Sequence, residues 1–155
     1  MESARPAGAD DLAAIVALIN ACATELRPTR GGDVWFRREG PTPPPEDYLA
    51  RRLASPDDHV IVGLIDAEVI GFATVALETL RDGTRLGVID DLYVDVEARA
   101  IGVGEAMAVE AVAWCESHGC FGIDASALPG NRAAKNFFET HGFIARRIVM
   151  HRRLG

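Results

Sequence analysis

The spacing of apolar and polar positions changes several times along this chain, and each change marks an element. Ser3 to Pro6 reads as a short first strand. Asp10 or Asp11 then caps a helix whose apolar stripe includes Leu12, Ile15, Val16, Leu18 and Ile19. From Pro28 to Pro45 no period survives. Gly31, Gly32, Gly40 and the prolines at 41, 43, 44 and 45 predict an irregular loop, with a helical turn around Val34 to Arg38. Glu46 to Ala54 predicts a second helix, stopped by Ser55-Pro56. Three strands follow: His59 to Ile65, Val69 to Leu77 and Arg85 to Val94. Asp66-Ala-Glu68 and Asp82-Gly83 are their hairpin turns.

After Gly102 a helix-like run lasts until about Ser117, with Gly119 as its C-terminal stop. Trp114 shares its apolar face with Met107 and Ala111. Phe121 to Ser126 reads as a buried strand, and Asn131 to Thr140 as a helix ended by Gly142. Phe143 to Arg153 alternates loosely and predicts a final strand or hairpin. The order is β-α-α-β-β-β-α-β-α-β. It predicts a mixed α/β (α+β) layer with antiparallel neighbours, not a doubly wound sheet.

At 155 residues, 48% hydrophobic and 25% charged, the chain reads as one domain able to bury a core. Its net charge of −7 argues against a general binder of nucleic acid or anionic membranes, and suits a cationic substrate such as an amine. Acidity that serves only solubility is the simpler alternative. Cys22, Cys115 and Cys120 lack C-x-x-C spacing and read as reduced, mostly buried thiols of a cytoplasmic protein. The acidic N-terminus is not a signal peptide, and no run approaches the ~20 apolar residues of a membrane span. His59, His118, His141 and His151 are scattered without metal-ligand spacing, so no metal is expected.

The segment Arg99-Ala100-Ile101-Gly102-Val103-Gly104 lies between a strand and a helix start. Such a turn offers free N–H groups and the positive end of the helix dipole to an anion. Glycine at 102 and 104 lets a phosphate approach the backbone. A dinucleotide fingerprint would need glycine where Met107 stands. A Walker A loop would need Lys and Ser or Thr where Glu105 and Ala106 stand. By itself the loop is equally a close-packed helix start.

Its surroundings resemble the GCN5-related N-acetyltransferase (GNAT) superfamily. Arg99, Gly102 and Gly104 match the family's pyrophosphate-loop pattern. Asp90-Asp-Leu-Tyr-Val-Asp95 is similar to its fourth strand. Asn131-Arg-Ala-Ala-Lys-Asn-Phe-Phe-Glu-Thr-His-Gly-Phe143 is similar to its second cofactor motif. The likeness runs from about Arg5 to Arg153. It implies a largely antiparallel central sheet of six to seven strands flanked by about four helices. The implied activity is acetyl transfer from acetyl-CoA, as cosubstrate, to a primary amine by direct attack in a ternary complex.

The resemblance also assigns residues. Leu92, Tyr93, Val94, Arg99 to Glu105, Asn131 and Phe138 would line the cofactor. The backbone N–H of Leu92 or Val94 would polarise the thioester carbonyl. Asp90 matches the family's general base, acting through water; the plainer reading is a strand-surface charge. Strand alternation lets only one of Asp90 and Asp91 face the cleft easily. Asn131 is either a cofactor contact or a helix cap. Trp35, Phe36 and Asp91 would meet the acceptor, a small amine or the amine of a peptide or protein; Tyr48 is a further candidate wall. Trp35, Phe36 and Tyr48 would equally pack the proline-rich loop onto the sheet. A homodimer is an expectation by analogy.

Two positions depart from the family pattern. Ile101 stands where many relatives carry a base, which shifts phosphate binding onto backbone amides and Arg99. Phe138 stands where the family usually has a tyrosine that protonates the leaving thiolate. The alternative function is therefore a CoA-binding regulatory or structural module without catalysis.

Overall fold

The computed structural model describes residues 1–99 and 101–155. Ala100, one of the expected loop residues, lies outside them. The chain runs β1 (Glu2–Pro6), α1 (Leu12–Leu26), α2 (Gly32–Arg38), α3 (Pro45–Ala54), β2 (Asp58–Ile65), β3 (Glu68–Thr79), β4 (Arg85–Val94), α4 (Val103–Ser117), β5 (Cys120–Ala125) and α5 (Arg132–Thr140). The strands form one five-stranded sheet in the order β1-β2-β3-β4-β5. All neighbours are antiparallel except β4 and β5, which are parallel and joined by α4. The mixed, largely antiparallel architecture is the one expected.

The turns follow from their residues. Asp66 turns the β2–β3 hairpin at φ 53°, and Gly83 turns the β3–β4 connection at φ 86°. Asp33, Trp35 and the arginines of the Pro28–Pro45 stretch settle into a fuller helix than the single turn expected, α2, entered through Gly31 at φ 86°. Asp11 does not cap α1. Its carboxylate accepts from the N–H of Gly8 (2.8 Å) and from Arg5 (2.8 and 3.0 Å), closing the 3₁₀ turn before the helix.

The sheet separates two cores. On one face Val60, Val62, Leu64, Phe72 and Tyr93 meet Ile15, Leu18 and Ile19 of α1 and Tyr48 and Leu49 of α3. On the other, Ile61, Ala73, Val75 and Ile89 meet Val103, Met107, Ala111 and Cys115 of α4. Glycines let α4 lie close to the strands. A Cβ at Gly63 would stand 2.5 Å from Val103 Cγ1, and one at Gly87 2.4 Å from Cys115 Sγ. Trp114 is half-buried on this face, stacked on the His59 ring with 5.1 Å between centroids.

The sheet has five strands among the described residues rather than six or seven, and five α-helices rather than about four. The missing strand is the one expected from Phe143 to Arg153. Phe143 is held by its N–H to the Phe138 carbonyl (3.0 Å), and residues 144–155 then run without regular structure. Their alternation is faulty. Ile148-Val149-Met150 is a continuous apolar run between two arginine pairs, so strict alternation is lost there.

Candidate active site

The site begins with a bulge. Thr74 of β3 pairs with Asp91, but Val75 pairs with Ile89, so Asp90 is an extra residue in β4. A bulge sets two residues against one and bends the strand. It also breaks the alternation expected for the two aspartates. Both carboxylates reach α3, where Tyr48 and Arg52 are one turn apart. Arg52 bonds Asp90 Oδ2 (2.5 Å) and Asp58 (3.0 Å). Tyr48 Oη donates to Asp91 Oδ2 at 2.5 Å, and Thr74 Oγ1 donates to the same oxygen at 2.5 Å.

The two aspartates differ in environment. Asp90 is exposed, whereas Asp91 is only 7% exposed. Burial raises the Asp91 carboxyl above the usual range, and its hydroxyl donors and Arg52 oppose that shift. Burial, then the Asp91 charge, likewise raises the Tyr48 phenol. Asp91 thus sits under Tyr48 and Thr74 rather than open to an acceptor. Tyr48 belongs to this buried cluster and is not a pocket wall.

Past Ile89 the β5-facing edge of β4 has no strand partner, because β5 ends at Ala125. The β4–β5 pairing runs from Arg85–Cys120 to Ile89–Ala125 and stops there, while β4 continues to Val94. From Asp91 to Val94 the strand is paired to β3 alone. Unpaired backbone groups on that edge must find another partner, such as the amides of a bound ligand. Leu92 and Val94 turn to the α4 face, where Phe138 and Phe143 pack against the same cluster. Tyr93 turns to α1, and its hydroxyl donates to Glu25 (3.0 Å).

The glycine loop follows directly. Gly102 is the N-cap of α4 at φ 98°, a left-handed conformation that glycine adopts without strain. The N–H of Ala106 is bonded to the Gly102 carbonyl, so the N–H groups before it belong to the open first turn. Val103 is buried, Ile101 and Glu105 are exposed, and Gly104 is half-buried, where an added Cβ would stand 3.3 Å from Phe137 Cε1. The open first turn of α4 suits a phosphate group.

Arg99 does not point freely into solvent. Its guanidinium forms two bonds to Glu25 (2.7 and 2.8 Å), its Nε donates to the Val94 carbonyl (3.0 Å), and it lies over the Tyr93 ring at 5.3 Å. Arg99 holds the Glu25 carboxyl below its ordinary range. Asn131 accepts from the N–H of Ala134 (3.2 Å), the cap arrangement. Phe138 stands edge-on to Phe137 and Phe143 at 5.5 and 5.3 Å.

Trp35 and Phe36 line a hollow of about 230 Å³ with Ile19, Asn20, Ala23 and prolines of the irregular loop. A neighbouring cleft is bounded by Asn20, Thr24, Glu25, Tyr93 and Val96. Asn20 belongs to both. The structure therefore brings Leu92, Val94, Val103 and Phe138 into one cluster, turns Asp90 and Asp91 to α3, and sets Trp35 and Phe36 apart along α1. The sequence reading had no signal for Glu25 or Arg52, because each meets its partner through contacts distant in sequence.

Comparison with known proteins bears on this geometry. The model of the Acetyltransferase (GNAT) family matches residues 17–143. The chain belongs to the GNAT acetyltransferase family. Solved structures share the fold at low identity. A tetramutant of a Bacillus halodurans protein superposes with TM-score 0.82 at 19% identity, covering 97% of this chain and 99% of that one. An aminoglycoside acetyltransferase from an uncultured soil metagenomic sample, in complex with sisomicin, gives 0.73 at 18%, covering 99% and 95%. Glucosamine-6-phosphate N-acetyltransferase from Arabidopsis thaliana gives 0.71 at 19%, covering 100% and 99%. In this GNAT chain, among the described residues, no helix is long and apolar enough to cross a membrane, and no cluster has the makings of a metal site.

Proposed function

We infer that this GNAT chain is an acetyl-CoA-dependent N-acetyltransferase that moves an acetyl group to a primary amine by direct attack in a ternary complex. The observation that carries this reading is the edge of β4 left without a strand partner beyond the end of β5, ahead of the glycine-capped start of α4. One feature offers backbone groups to an amide-bearing arm, and the other offers helix N–H groups to its phosphates. Acetyl-CoA carries both, and supplies the activated acetyl group when bound.

The first turn of α4, with Gly102 and Gly104, would hold the pyrophosphate. Arg99 fixes the loop through Glu25 and Val94 and adds positive charge beside it. The N–H of Leu92 or Val94 is the donor for the thioester oxygen, a contact that strengthens as negative charge develops there. Asp90 is the base. Arg52 holds one of its oxygens, and the exposed carboxylate takes the amine's proton through water. An alkylammonium has a pKa of ~10, so that proton must leave before attack. Phe138 walls the arm and cannot donate a proton. The thiolate of a thiol with pKa ~8.5 can leave without one.

The acceptor belongs to the cleft beside Tyr93 and Glu25 and the hollow under Trp35 and Phe36. Acetyltransferases of the same fold act on aminoglycosides and on glucosamine 6-phosphate, so amines of those kinds, with polyamines and peptides, form the panel to test. The net charge of −7 favours a cationic acceptor and disfavours nucleic acid and anionic membranes. A cytoplasmic enzyme is the simplest setting.

Calorimetry with acetyl-CoA is expected to show saturable binding, and the amine panel to show sustained thiol release that Gly102→Trp abolishes. No heat at millimolar acetyl-CoA would overturn the assignment. Binding without thiol release from any amine would favour the second reading, a CoA-binding module, which rests on Phe138. Phe138→Tyr is expected to change kcat by less than ~10-fold. A gain of ~10²-fold would show that acid catalysis is what the enzyme lacks.

A further inference from the structure

The cleft bounded by Asn20, Ala21, Thr24, Glu25, Tyr93 and Val96 has a one-sided hydrogen-bonding wall. Thr24 Oγ1 donates its proton to the Asn20 carbonyl (3.0 Å). Tyr93 Oη donates its proton to Glu25 Oε1 (3.0 Å). Each hydroxyl has thereby spent its only proton within the chain and has only lone pairs left to offer. A carboxylate has about four lone-pair positions. Tyr93 and Nη2 of Arg99 occupy Glu25 Oε1, while Oε2 accepts from Nη1 of Arg99 alone, so Oε2 keeps a free position. Arg99 holds the Glu25 carboxyl below its ordinary range, so it is ionised at neutral pH. Ala21 and Val96 carry no polar side-chain atom, and Asn20 can turn either end of its amide outward. A group that fills this recess must bring donors of its own. An ammonium brings three and no lone pair.

The cleft is not where the reacting amine would sit. Tyr93 turns to α1, whereas Leu92 and Val94, whose N–H groups would hold the thioester oxygen, turn to the α4 face. Asp90, the base, stands three residues upstream of Tyr93, ~10 Å along an extended strand. The opposing effect is the like charge of Arg99. Its guanidinium is already engaged by Glu25, the Val94 carbonyl and the Tyr93 ring, and the diphosphate of a bound cofactor would offset its charge further.

We propose that the cleft holds a second, non-reacting ammonium of the amine substrate against Thr24, Glu25 and Tyr93, which makes diamines and polyamines favoured over monoamines. The proposal rests on the reading of this chain as an amine acetyltransferase and narrows its substrate class. Glu25 then serves two partners: Arg99 at the cofactor loop and the far end of the substrate.

Calorimetric titration of the CoA-loaded chain compares straight-chain diamines of increasing length with the monoamine of each length. CoA has no acetyl group to give, so binding is read without turnover. At least one diamine is expected to bind ~10-fold or more tightly than its monoamine. Glu25→Gln is expected to abolish that preference. Thr24→Val removes an exposed hydroxyl that makes no bond to Glu25 or Arg99, and is expected to cut the preference ~3-fold or more. A merely structural role for either residue would weaken both amines alike and leave their ratio unchanged. Diamines no tighter than monoamines, or a ratio unchanged in both variants, overturns the proposal. Absence of heat from CoA itself would instead sink the cofactor reading, and the same titrations on the free chain would then decide the cleft by the same outcomes.

Discussion

Asp11 and Asp91 are both buried carboxylates, yet they answer acid in opposite directions. Arg5, with the N–H of Gly8, holds Asp11 below the ordinary carboxylate range. Its stabilisation is fully present above that range and is lost as pH falls through its folded value. Asp91 is raised by burial, so the folded chain keeps this proton longer than the unfolded chain does. Its contribution declines as pH rises from the ordinary range through the raised value, and is constant above it. Urea titrations of wild type, Asp11→Asn and Asp91→Asn between about pH 3 and 7 separate the two. Asp11→Asn is expected to cost about 1–2 kcal/mol at neutral pH and less in acid. Asp91→Asn is expected to gain on the wild type as pH rises; a constant difference would refute the assignment. The pairing of carboxylates at 90 and 91 was legible in the sequence, but their directions were not. Alternation assigns them to opposite faces, and an inserted residue in the strand, invisible without its partner's register, brings both towards α3.

Elements bounded by their own turn chemistry were the legible ones. Arg85 to Val94 has the limits expected, because Asp82-Gly83 fixes its start. The helix after Gly102 and the stop at Gly119, with φ 72°, also follow from local residues. The failures lie where packing decides. The helix within the proline-rich stretch carries Trp35, which packs against the core built on α1, and the tail after Phe143 leaves its apolar residues exposed. Asn131 shows a residue whose two readings the structure separates in part, since its side chain is engaged in capping α5. The fit of α4 on the sheet yields an element-scale prediction. At Gly63 even one methyl would meet Val103 Cγ1 at 2.5 Å and Met107 Sδ at 2.9 Å. Gly63→Ala is expected to lower stability by about 1–3 kcal/mol by pushing α4 outward. Chemical denaturation reads it; an unchanged midpoint would mean that the helix yields without strain.

For the whole molecule, the sheet's connectivity has a consequence for the order in which its parts assemble. Strands β2, β3 and β4 form a meander of adjacent hairpins, whose contacts close over short stretches of chain. Strand β5 meets β4 only after α4 has crossed the sheet, and β1 waits for three helices before β2 exists to receive it. Closing longer loops before any contact rewards them is slow. The meander with α4 is therefore the expected folding nucleus, and β5 joins late. Stopped-flow kinetics test this order. Val62→Ala in β2 is expected to slow folding, whereas Ile123→Ala in β5 is expected mainly to speed unfolding. Equal slowing of folding by both would contradict it. The β4 edge beyond the end of β5 is then the last region of the molecule to acquire its shape. A nascent or partly unfolded chain would keep most of its core while holding no competent cleft.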